Sequence, residues 1–356
     1  MSAAPPRLPG PPWLRGGGGP LAAAARLALA PLGCAYGGVA RTRLAAYRAG
    51  LLSSHTLDRP TISVGNLTTG GTGKTPFTAW LLEMARASGV EPAVLARGYG
   101  GDFSGNDEVA MLTDRYPGLA VGVGADRIEA ARRVREQHPE VDLWILDDGF
   151  QHRRVQRDLD CVLVDATDPL GGGACLPRGL LREPARGLAR ADLVVATRSD
   201  LVDEPSRDAL WRQLGAFGYG GPRIDAAHGP ISLESLGVPH RSLALDELRG
   251  RPVRLLSSIA HPAAFASTVA RLGAAIREER AFPDHHRYLP ADLPDLRDGT
   301  DGTIWLTTEK DAPKLRRLGV IDGWVLRVEL RWLRGEAELR ARLAPWLSKR
   351  GAAMSQ

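Results

Sequence analysis

Residues 61–75 read Thr-Ile-Ser-Val-Gly-Asn-Leu-Thr-Thr-Gly-Gly-Thr-Gly-Lys-Thr. Thr61–Val64 has the apolar pattern of a short buried strand, and the residues from Pro76 to Ala87 have the apolar periodicity of a helix. A glycine-rich loop between a strand and a helix is the setting of a P-loop, in which backbone N–H groups and the helix N-terminus surround a polyphosphate. This stretch therefore predicts a nucleotide-binding α/β fold.

The loop also predicts the roles of its side chains. Lys74 would reach the β- and γ-phosphate oxygens, and the Thr75 hydroxyl would hold Mg²⁺. The motif G-x-x-x-x-G-K-[ST] has Thr68 at its first glycine position, so Gly70 and Gly71 would supply the backbone freedom instead. The predicted nucleotide-binding set is Gly70, Gly71, Thr72, Gly73, Lys74 and Thr75.

A second apolar strand ends in two carboxylates. Leu143–Leu146 is followed directly by Asp147 and Asp148, as in a Walker B element. Beside a P-loop, one of these aspartates can organise Mg²⁺ and its waters, whereas an ordinary Asp-Asp-Gly turn is the alternative. The upstream P-loop favours the metal role, and the sequence leaves open which of the two aspartates fills it.

Four polar residues are candidates for binding an anionic substrate. Arg97 follows a predicted strand, Arg127 begins a predicted helix, and Gln151 and His152 follow the Asp-Asp pair. Arginine suits bidentate contact with phosphate, although either arginine could equally form a surface ion pair.

Strands and helices alternate after the P-loop helix, and a second alternating segment begins near Val253. Such alternation indicates a parallel sheet with helices on both faces. We therefore predict an α/β protein with a P-loop nucleotide-binding domain at 59–250, a smaller α/β domain at 251–348 and a tail at 349–356.

The N-terminal segment predicts a tail and a helix. Residues 1–20 are rich in glycine and proline, which is typical of a disordered tail. Residues 21–58 contain a run too rich in alanine and glycine for a good transmembrane helix, followed by an amphipathic stretch. Its apolar face would be Tyr36, Ala40, Leu44, Tyr47 and Leu51, with Arg41 and Arg48 beside it. This pattern favours a membrane-associated helix, with a helix packed on its own domain as the alternative.

Charge and cysteine content exclude some classes of protein. Of 356 residues, 46 are lysine or arginine and 41 are aspartate or glutamate. This excess is too small and too dispersed to predict a nucleic-acid partner. The three cysteines lack metal-binding spacing, and their odd number does not suggest a disulfide framework.

Three polar segments are ambiguous from their residues alone. Asp107 and Glu108 precede an apolar run, Val109–Leu112, which we interpret as a strand, so a solvated turn is the favoured reading of the pair. The segment 282–288 holds an aspartate and two histidines, which suits acid–base chemistry or phosphate contact as well as an exposed loop. Thr308–Asp311 follows a predicted strand.

Taken in order, these segments resemble the tetraacyldisaccharide 4′-kinase family over nearly all of residues 28–348. The blocks that carry the resemblance are 64–76, Arg97-Gly-Tyr-Gly100, Gly105-Asn-Asp-Glu108, Ala125-Asp-Arg127, Leu146-Asp-Asp-Gly-Phe-Gln-His152, 176–184, Phe282-Pro-Asp-His285 and Thr308-Glu-Lys-Asp311.

The resemblance implies two α/β domains joined at a hinge, with MgATP as phosphoryl donor and the 4′-hydroxyl of a lipid A disaccharide precursor as acceptor. It implies that Asp107 is the catalytic carboxylate acting with His285, and that Arg97 and Arg127 contact lipid or phosphate. It also implies a peripheral or monotopic enzyme on the cytoplasmic face of the inner membrane, and no obligate protein partner is predicted.

A nucleotide-controlled switch or assembly GTPase is the competing function. Thr197-Arg-Ser-Asp200 follows an apolar strand and is similar to the [NT]-K-x-D motif that reads guanine, with arginine in place of lysine. Nucleotide preference would distinguish the two functions.

Overall fold

The computed structural model of the chain describes residues 19–98, 107–237, 240–259, 262–293, 302–320 and 322–348. Residues 1–18 of the predicted tail at 1–20 and the predicted tail at 349–356 lie outside the described residues, as do parts of the blocks at 97–100 and 105–108, whereas Pro20 begins a helix. Contacts between residues divide the chain into two compact units. The larger unit holds the described residues of 19–98, 119–228 and 330–348, and the smaller unit holds those of 107–118 and 229–329.

Helices and strands alternate through most of the chain. The α-helices are α1 Pro20–Ala28, α2 Ala30–Arg48, α3 Lys74–Ala87, α4 Asp107–Arg115, α5 Arg127–Gln137, α6 Glu204–Ala216, α7 Pro262–Arg271, α8 Ala312–Arg317 and α9 Glu336–Leu343. The strands are β1 Thr61–Asn66, β2 Pro92–Ala96, β3 Ala120–Val123, β4 Leu143–Asp147, β5 Leu159–Asp165, β6 Leu193–Thr197, β7 Ile224–Ser235, β8 Ser242–Leu243, β9 Pro252–Ser257, β10 Ala275–Ala281, β11 Ile304–Thr308 and β12 Trp324–Arg334.

The larger unit contains a parallel sheet in the order β3-β2-β4-β1-β5-β6, and the start of β7 pairs with β6. Every residue of β1 is buried, including both Ile62 and Ser63, which point to opposite faces. Both faces of the central strand are therefore covered, as a parallel sheet requires. The predicted α/β fold class is confirmed.

The smaller unit has its own parallel strands, in the order β10-β9-β11-β12. The end of β7 pairs with β8 in antiparallel fashion. Its core joins β9 and β11 to helix α7 through Leu255, Leu306, Phe265 and Val269. The unit therefore has a hydrophobic core separate from that of the larger unit.

The two compact units do not coincide with the continuous segments predicted from the sequence. The segments 107–118 and 229–250 group with the smaller unit, and 330–348 groups with the larger. Two of the unit boundaries fall inside the long strands β7 and β12, and helix α4 of the segment 107–118 pairs with helix α8 through Asp114 and Arg316. The predicted boundaries at 250 and 251 remain a prediction about independently folding domains.

The prediction of a strand at Val109–Leu112 is wrong, because these residues lie in helix α4. Asp107 and Glu108 occupy its first turn, where carboxylates interact favourably with the helix dipole. Val109 and Leu112, three residues apart, share its buried face. A four-residue apolar run alone does not distinguish a strand from a buried helix.

The N-terminal segment forms two helices, α1 and α2, with a bend of 43° between them. Gly33 and Gly37 of α2 are buried, and a Cβ added at Gly37 would meet the Cys175 sulfur at 3.2 Å. Among the described residues, no single helix has the length and apolarity needed to cross a membrane, although the bent pair meets the test when its two helices are taken together.

Candidate active site

The P-loop begins at the end of β1 and ends at the first residue of α3. Gly73 caps α3 in the left-handed region, with φ of 85°, and Gly70 has φ of 117°. A Cβ at Gly73 would lie 2.5 Å from His228 Nε2, whereas a Cβ at Gly71 would meet nothing within 4 Å. The backbone conformation therefore requires glycine at positions 70 and 73.

Lys74 faces the predicted Walker B carboxylates. Its Nζ lies 3.5 Å from Asp148 Oδ1, and Arg182 Nη1 lies 2.6 Å from Asp148 Oδ2. Burial alone would raise the pKa of Asp148, but the Lys74 and Arg182 cations outweigh it and hold that pKa below its ordinary value. Asp148 is therefore ionised near neutral pH.

Asp147 pairs with Val64 in the register between β4 and β1, so it lies beside the start of the P-loop. The predicted Walker B element and P-loop are therefore neighbours at the carboxyl edge of the sheet. Asp147 and Asp148 also both raise the pKa of Arg127 through their charges, in opposition to burial and to Arg97.

These residues fit a nucleotide and Mg²⁺. The Thr72 hydroxyl and Asn66 Oδ1 are buried and have no hydrogen-bond partner among the described residues. Thr75 is half-buried in the first turn of α3. The described part of the chain holds no group of three or more His, Cys, Asp or Glu residues able to bind a metal. Mg²⁺ commonly binds through one or two carboxylates, with phosphate oxygens and water as its other ligands.

The two predicted substrate arginines have different surroundings. Arg97 is exposed just after β2. Arg127 is 2% exposed at the start of α5, and its Nη1 donates to the carbonyl oxygens of Gly124 at 2.9 Å and Ala125 at 3.3 Å. Burial, followed by the nearby Arg97 charge, lowers the pKa of Arg127.

Gln151 and His152 both lie in the loop after β4. The Gln151 amide donates to Asn66 O at 2.8 Å and to Glu183 Oε1 at 2.9 Å, which fastens this loop to the end of β1. Burial, and then the charges of Arg127 and Arg157, lower the pKa of His152 to about 4. His152 is therefore neutral near pH 7.

Asp107 and His285 are in contact within the smaller unit. His285 Nδ1 lies 3.0 Å from Asp107 Oδ2, although 178 residues separate them in sequence. The sequence predicted them in different domains, but Asp107 begins α4, which belongs to the smaller unit together with His285. Asp107 is largely buried, whereas the His285 side chain is 56% exposed and its φ of 62° is left-handed.

Two lysines that the sequence analysis did not single out face the same carboxylate. Lys314 Nζ lies 2.8 Å and Lys310 Nζ 3.8 Å from Asp107 Oδ2. Lys310 also pairs with Asp284 Oδ1 at 2.7 Å. The available signal was the block Thr308–Asp311, which contains Lys310 and leads into the helix that carries Lys314.

A carboxylate contacted by an imidazole and held by ammonium groups can accept a proton from an alcohol. A P-loop lysine beside an ionised aspartate can bind and polarise a phosphoryl group. Groups of both kinds have roles in phosphoryl transfer to a hydroxyl.

The model of the tetraacyldisaccharide-1-P 4′-kinase family matches residues 25–348. The chain belongs to this family. The tetraacyldisaccharide 4′-kinase of Anaeromyxobacter dehalogenans (strain 2CP-C) is 39% identical to it, over 93% of either chain. The corresponding enzyme of Chromobacterium violaceum is 36% identical, over 90% of this chain and 93% of its own.

A solved structure supports the same assignment at the level of the fold. LpxK from Aquifex aeolicus, in complex with ATP, superimposes with a TM-score of 0.73 at 27% identity, covering 91% of this chain and 99% of its own. The predicted family and kinase class are thereby confirmed.

The competing switch function is not favoured. Membership of the kinase family accounts for the P-loop without it. In the motif proposed to read guanine, Arg198 forms an ion pair with Asp165, and Asp200 is exposed in the turn after β6.

Proposed function

We propose that the chain transfers the γ-phosphoryl group of ATP to the 4′-hydroxyl of tetraacyldisaccharide 1-phosphate, the lipid A precursor. The observation that carries this proposal is Lys74 in the first turn of α3, with its Nζ facing the ionised Asp148. Membership of the family supplies the acceptor class.

In the larger unit, the loop 70–75 holds the phosphates through its backbone N–H groups, and Lys74 stabilises the charge that develops on the γ-phosphoryl oxygens. Thr75 and the Asp147–Asp148 pair would hold Mg²⁺. A bound Mg²⁺ would neutralise part of the phosphate charge. The Arg182 guanidinium keeps Asp148 oriented toward Lys74.

In the smaller unit, Asp107 accepts the proton of the acceptor hydroxyl. His285 donates from Nδ1 to Asp107 Oδ2 and so orients the carboxylate, leaving its other oxygen for the alcohol. The 3.0 Å contact between these two groups supports this division of roles.

The remaining candidates divide by the contacts that their side chains already make. Exposed Arg97 and neutral His152 are proposed to contact the lipid or its phosphate. Arg127 and Gln151 are proposed to support that contact from within the protein, because their donors already serve backbone carbonyls and Glu183.

We further propose peripheral or monotopic attachment to the cytoplasmic face of the inner membrane through α1 and α2. Large apolar side chains of this segment are exposed, including Leu21 at 87%, Leu27 at 76% and Val39 at 71%. An acceptor with long acyl chains favours such attachment, because each methylene removed from the bilayer costs about 0.8 kcal/mol.

The reaction is tested with purified full-length protein, radiolabelled ATP and tetraacyldisaccharide 1-phosphate in mixed micelles. We expect label at the 4′ position, ATP preferred over GTP, and no turnover without lipid. Lipid-independent GTP hydrolysis with no labelled lipid would contradict the proposal and restore the switch function.

A further inference from the structure

Near the Asp107–His285 contact, Lys314 connects Asp107 to a second, buried carboxylate, that of Asp311. Asp311 is fully buried and accepts hydrogen bonds from Ser258 N at 2.9 Å, from Thr308 Oγ1 at 2.7 Å and from the Ser258 hydroxyl. A buried charge needs partners of this kind. Asp311 is therefore a rigid anchor at the start of α8.

Lys314 connects this anchor to Asp107. Its Nζ lies 3.1 Å from Ser258 Oγ, 3.7 Å from Asp311 Oδ1 and 2.8 Å from Asp107 Oδ2. The lysine side chain is only 13% exposed, so its ammonium group is confined by three oxygen-bearing groups. A flexible side chain thereby acquires a fixed position.

Three side chains contact the same oxygen of Asp107. Lys314, Lys310 and His285 all face Oδ2. Donors fixed on one oxygen set the rotation of the carboxylate and so direct its second oxygen.

We propose that Lys314, seated by Asp311 and Ser258, is a positioning residue for phosphoryl transfer: it fixes Oδ2 of Asp107 so that Oδ1 meets the acceptor hydroxyl. This inference rests on the proposed function. Under this proposal, the segment 308–314 acts by orienting Asp107 rather than by contacting the nucleotide. Lys310 contributes less to positioning the Asp107 carboxylate, because its Nζ lies farther from Asp107 and pairs with Asp284.

The test compares Lys314→Met, Ser258→Ala and Lys314→Arg in the full-length enzyme, alone and combined with Asp107→Asn. Misplacing a reacting group by about 1 Å can cost about 10²-fold in rate. We therefore expect Lys314→Met to lower kcat by roughly 10- to 100-fold with the KM for ATP unchanged, and Lys314→Arg to restore part of the loss. In the Asp107→Asn background, Lys314→Met should lower the residual kcat by less than about threefold, because its target is already removed.

Arg316→Gln is the matched control. It breaks the ion pair between Arg316 of α8 and Asp114 of α4, the same two helices, away from Asp107. We expect a lower melting temperature with kcat retained. If Lys314→Met unfolds the enzyme, Ser258→Ala is compared in the same way, and we expect it to lower kcat by a smaller factor.

Equal losses from Lys314→Met or Ser258→Ala with and without Asp107→Asn would overturn the inference, as would an unchanged kcat. Failure of the wild-type enzyme to phosphorylate the lipid would instead contradict the proposed function. The two failures are thus distinguished by the wild-type assay.

Discussion

At the scale of single residues, the position of Lys74 is explained by its immediate neighbours. It follows the left-handed Gly73, and its charge lies beside a carboxylate whose pKa is lowered. We expect Lys74→Met to reduce kcat by about 10²- to 10³-fold, because it removes charge stabilisation at the transferring phosphoryl group. Arg86→Met in the last turn of the same helix is the control, since Arg86 pairs with Glu91. Near-normal turnover of Lys74→Met would contradict the P-loop assignment.

Two neighbouring glycines should tolerate substitution very differently. Gly73→Ala introduces a Cβ at a left-handed φ and 2.5 Å from His228, whereas Gly71→Ala meets open space. We expect Gly73→Ala to lower the free energy of unfolding by about 1–3 kcal/mol and Gly71→Ala to change it by less than about 0.5 kcal/mol. Urea unfolding without ligand measures this difference separately from ATP binding. Equal stability of the two variants would show that the loop does not need left-handed backbone at position 73.

Local sequence signals revealed part of the site and missed the rest. Asp148 directly follows an apolar strand, and Lys74 follows the glycine-rich loop after another, so strand patterns together with the P-loop motif predicted their shared edge of the sheet. The Asp107–His285 contact was not derivable in this way, because 178 residues separate the pair and only the family resemblance joined them. Lys314 was missed because its role depends on Asp311 and Ser258, which meet only in the folded chain.

At the scale of elements, apolar runs beside a recognisable motif were easier to interpret than isolated ones. Strands β1 and β4 are buried, and the sequence located both beside the P-loop and the Asp-Asp pair that follow them. Helix α4 was interpreted as a strand because its isolated run of four apolar residues fits either a strand or a buried helix. Strands β7 and β12 lack uniform burial: β7 is partly exposed in its middle, and β12 is partly exposed toward its end.

The N-terminal helices expose part of the predicted apolar face. Leu44 and Tyr47 are half-buried, and the glycine face of α2 packs on the rest of the larger unit. Tyr36 and Leu51 of the predicted face are exposed, at 41% and 80%, and so are Leu32 at 57% and Val39 at 71%, which lie outside it. The exposed apolar surface therefore overlaps the predicted face without coinciding with it.

Replacing Leu32 and Val39 with serine should weaken binding to anionic vesicles by about tenfold or more, because burial of each such side chain in an apolar phase contributes about 1.5–3 kcal/mol. The KM for lipid should rise while the KM for ATP is retained. Vesicle co-sedimentation measures the first effect. Leu201→Ser, at an exposed leucine outside these helices, is the control. Unchanged sedimentation of the double variant would exclude α2 as the attachment surface.

At the scale of the whole molecule, burial of neutral histidines makes stability depend on pH. The ordinary pKa of histidine is 6.5. Burial and nearby arginines lower the pKa of His152 to about 4, and burial together with the Arg198 charge lowers the pKa of His228 to about 4. The folded state therefore binds fewer protons than the unfolded state between these values, and its stability falls as the pH decreases from about 6.5 toward 4. Burial raises the pKa of Asp160, which acts in the opposite direction.

The histidine contribution is isolated by comparing variants across this pH range. We expect the melting temperature of the wild type to fall between pH 7 and pH 5, and the fall to be smaller in His152→Gln/His228→Gln, whose replacements bind no proton. His240→Gln, at an exposed histidine, is the control and should behave as the wild type. Loss of imidazole packing would lower the melting temperature of the double variant at both pH values. The decisive quantity is therefore the difference between the melting temperatures measured at pH 7 and pH 5. An equal fall in the double variant and the wild type would assign the acid sensitivity to other groups.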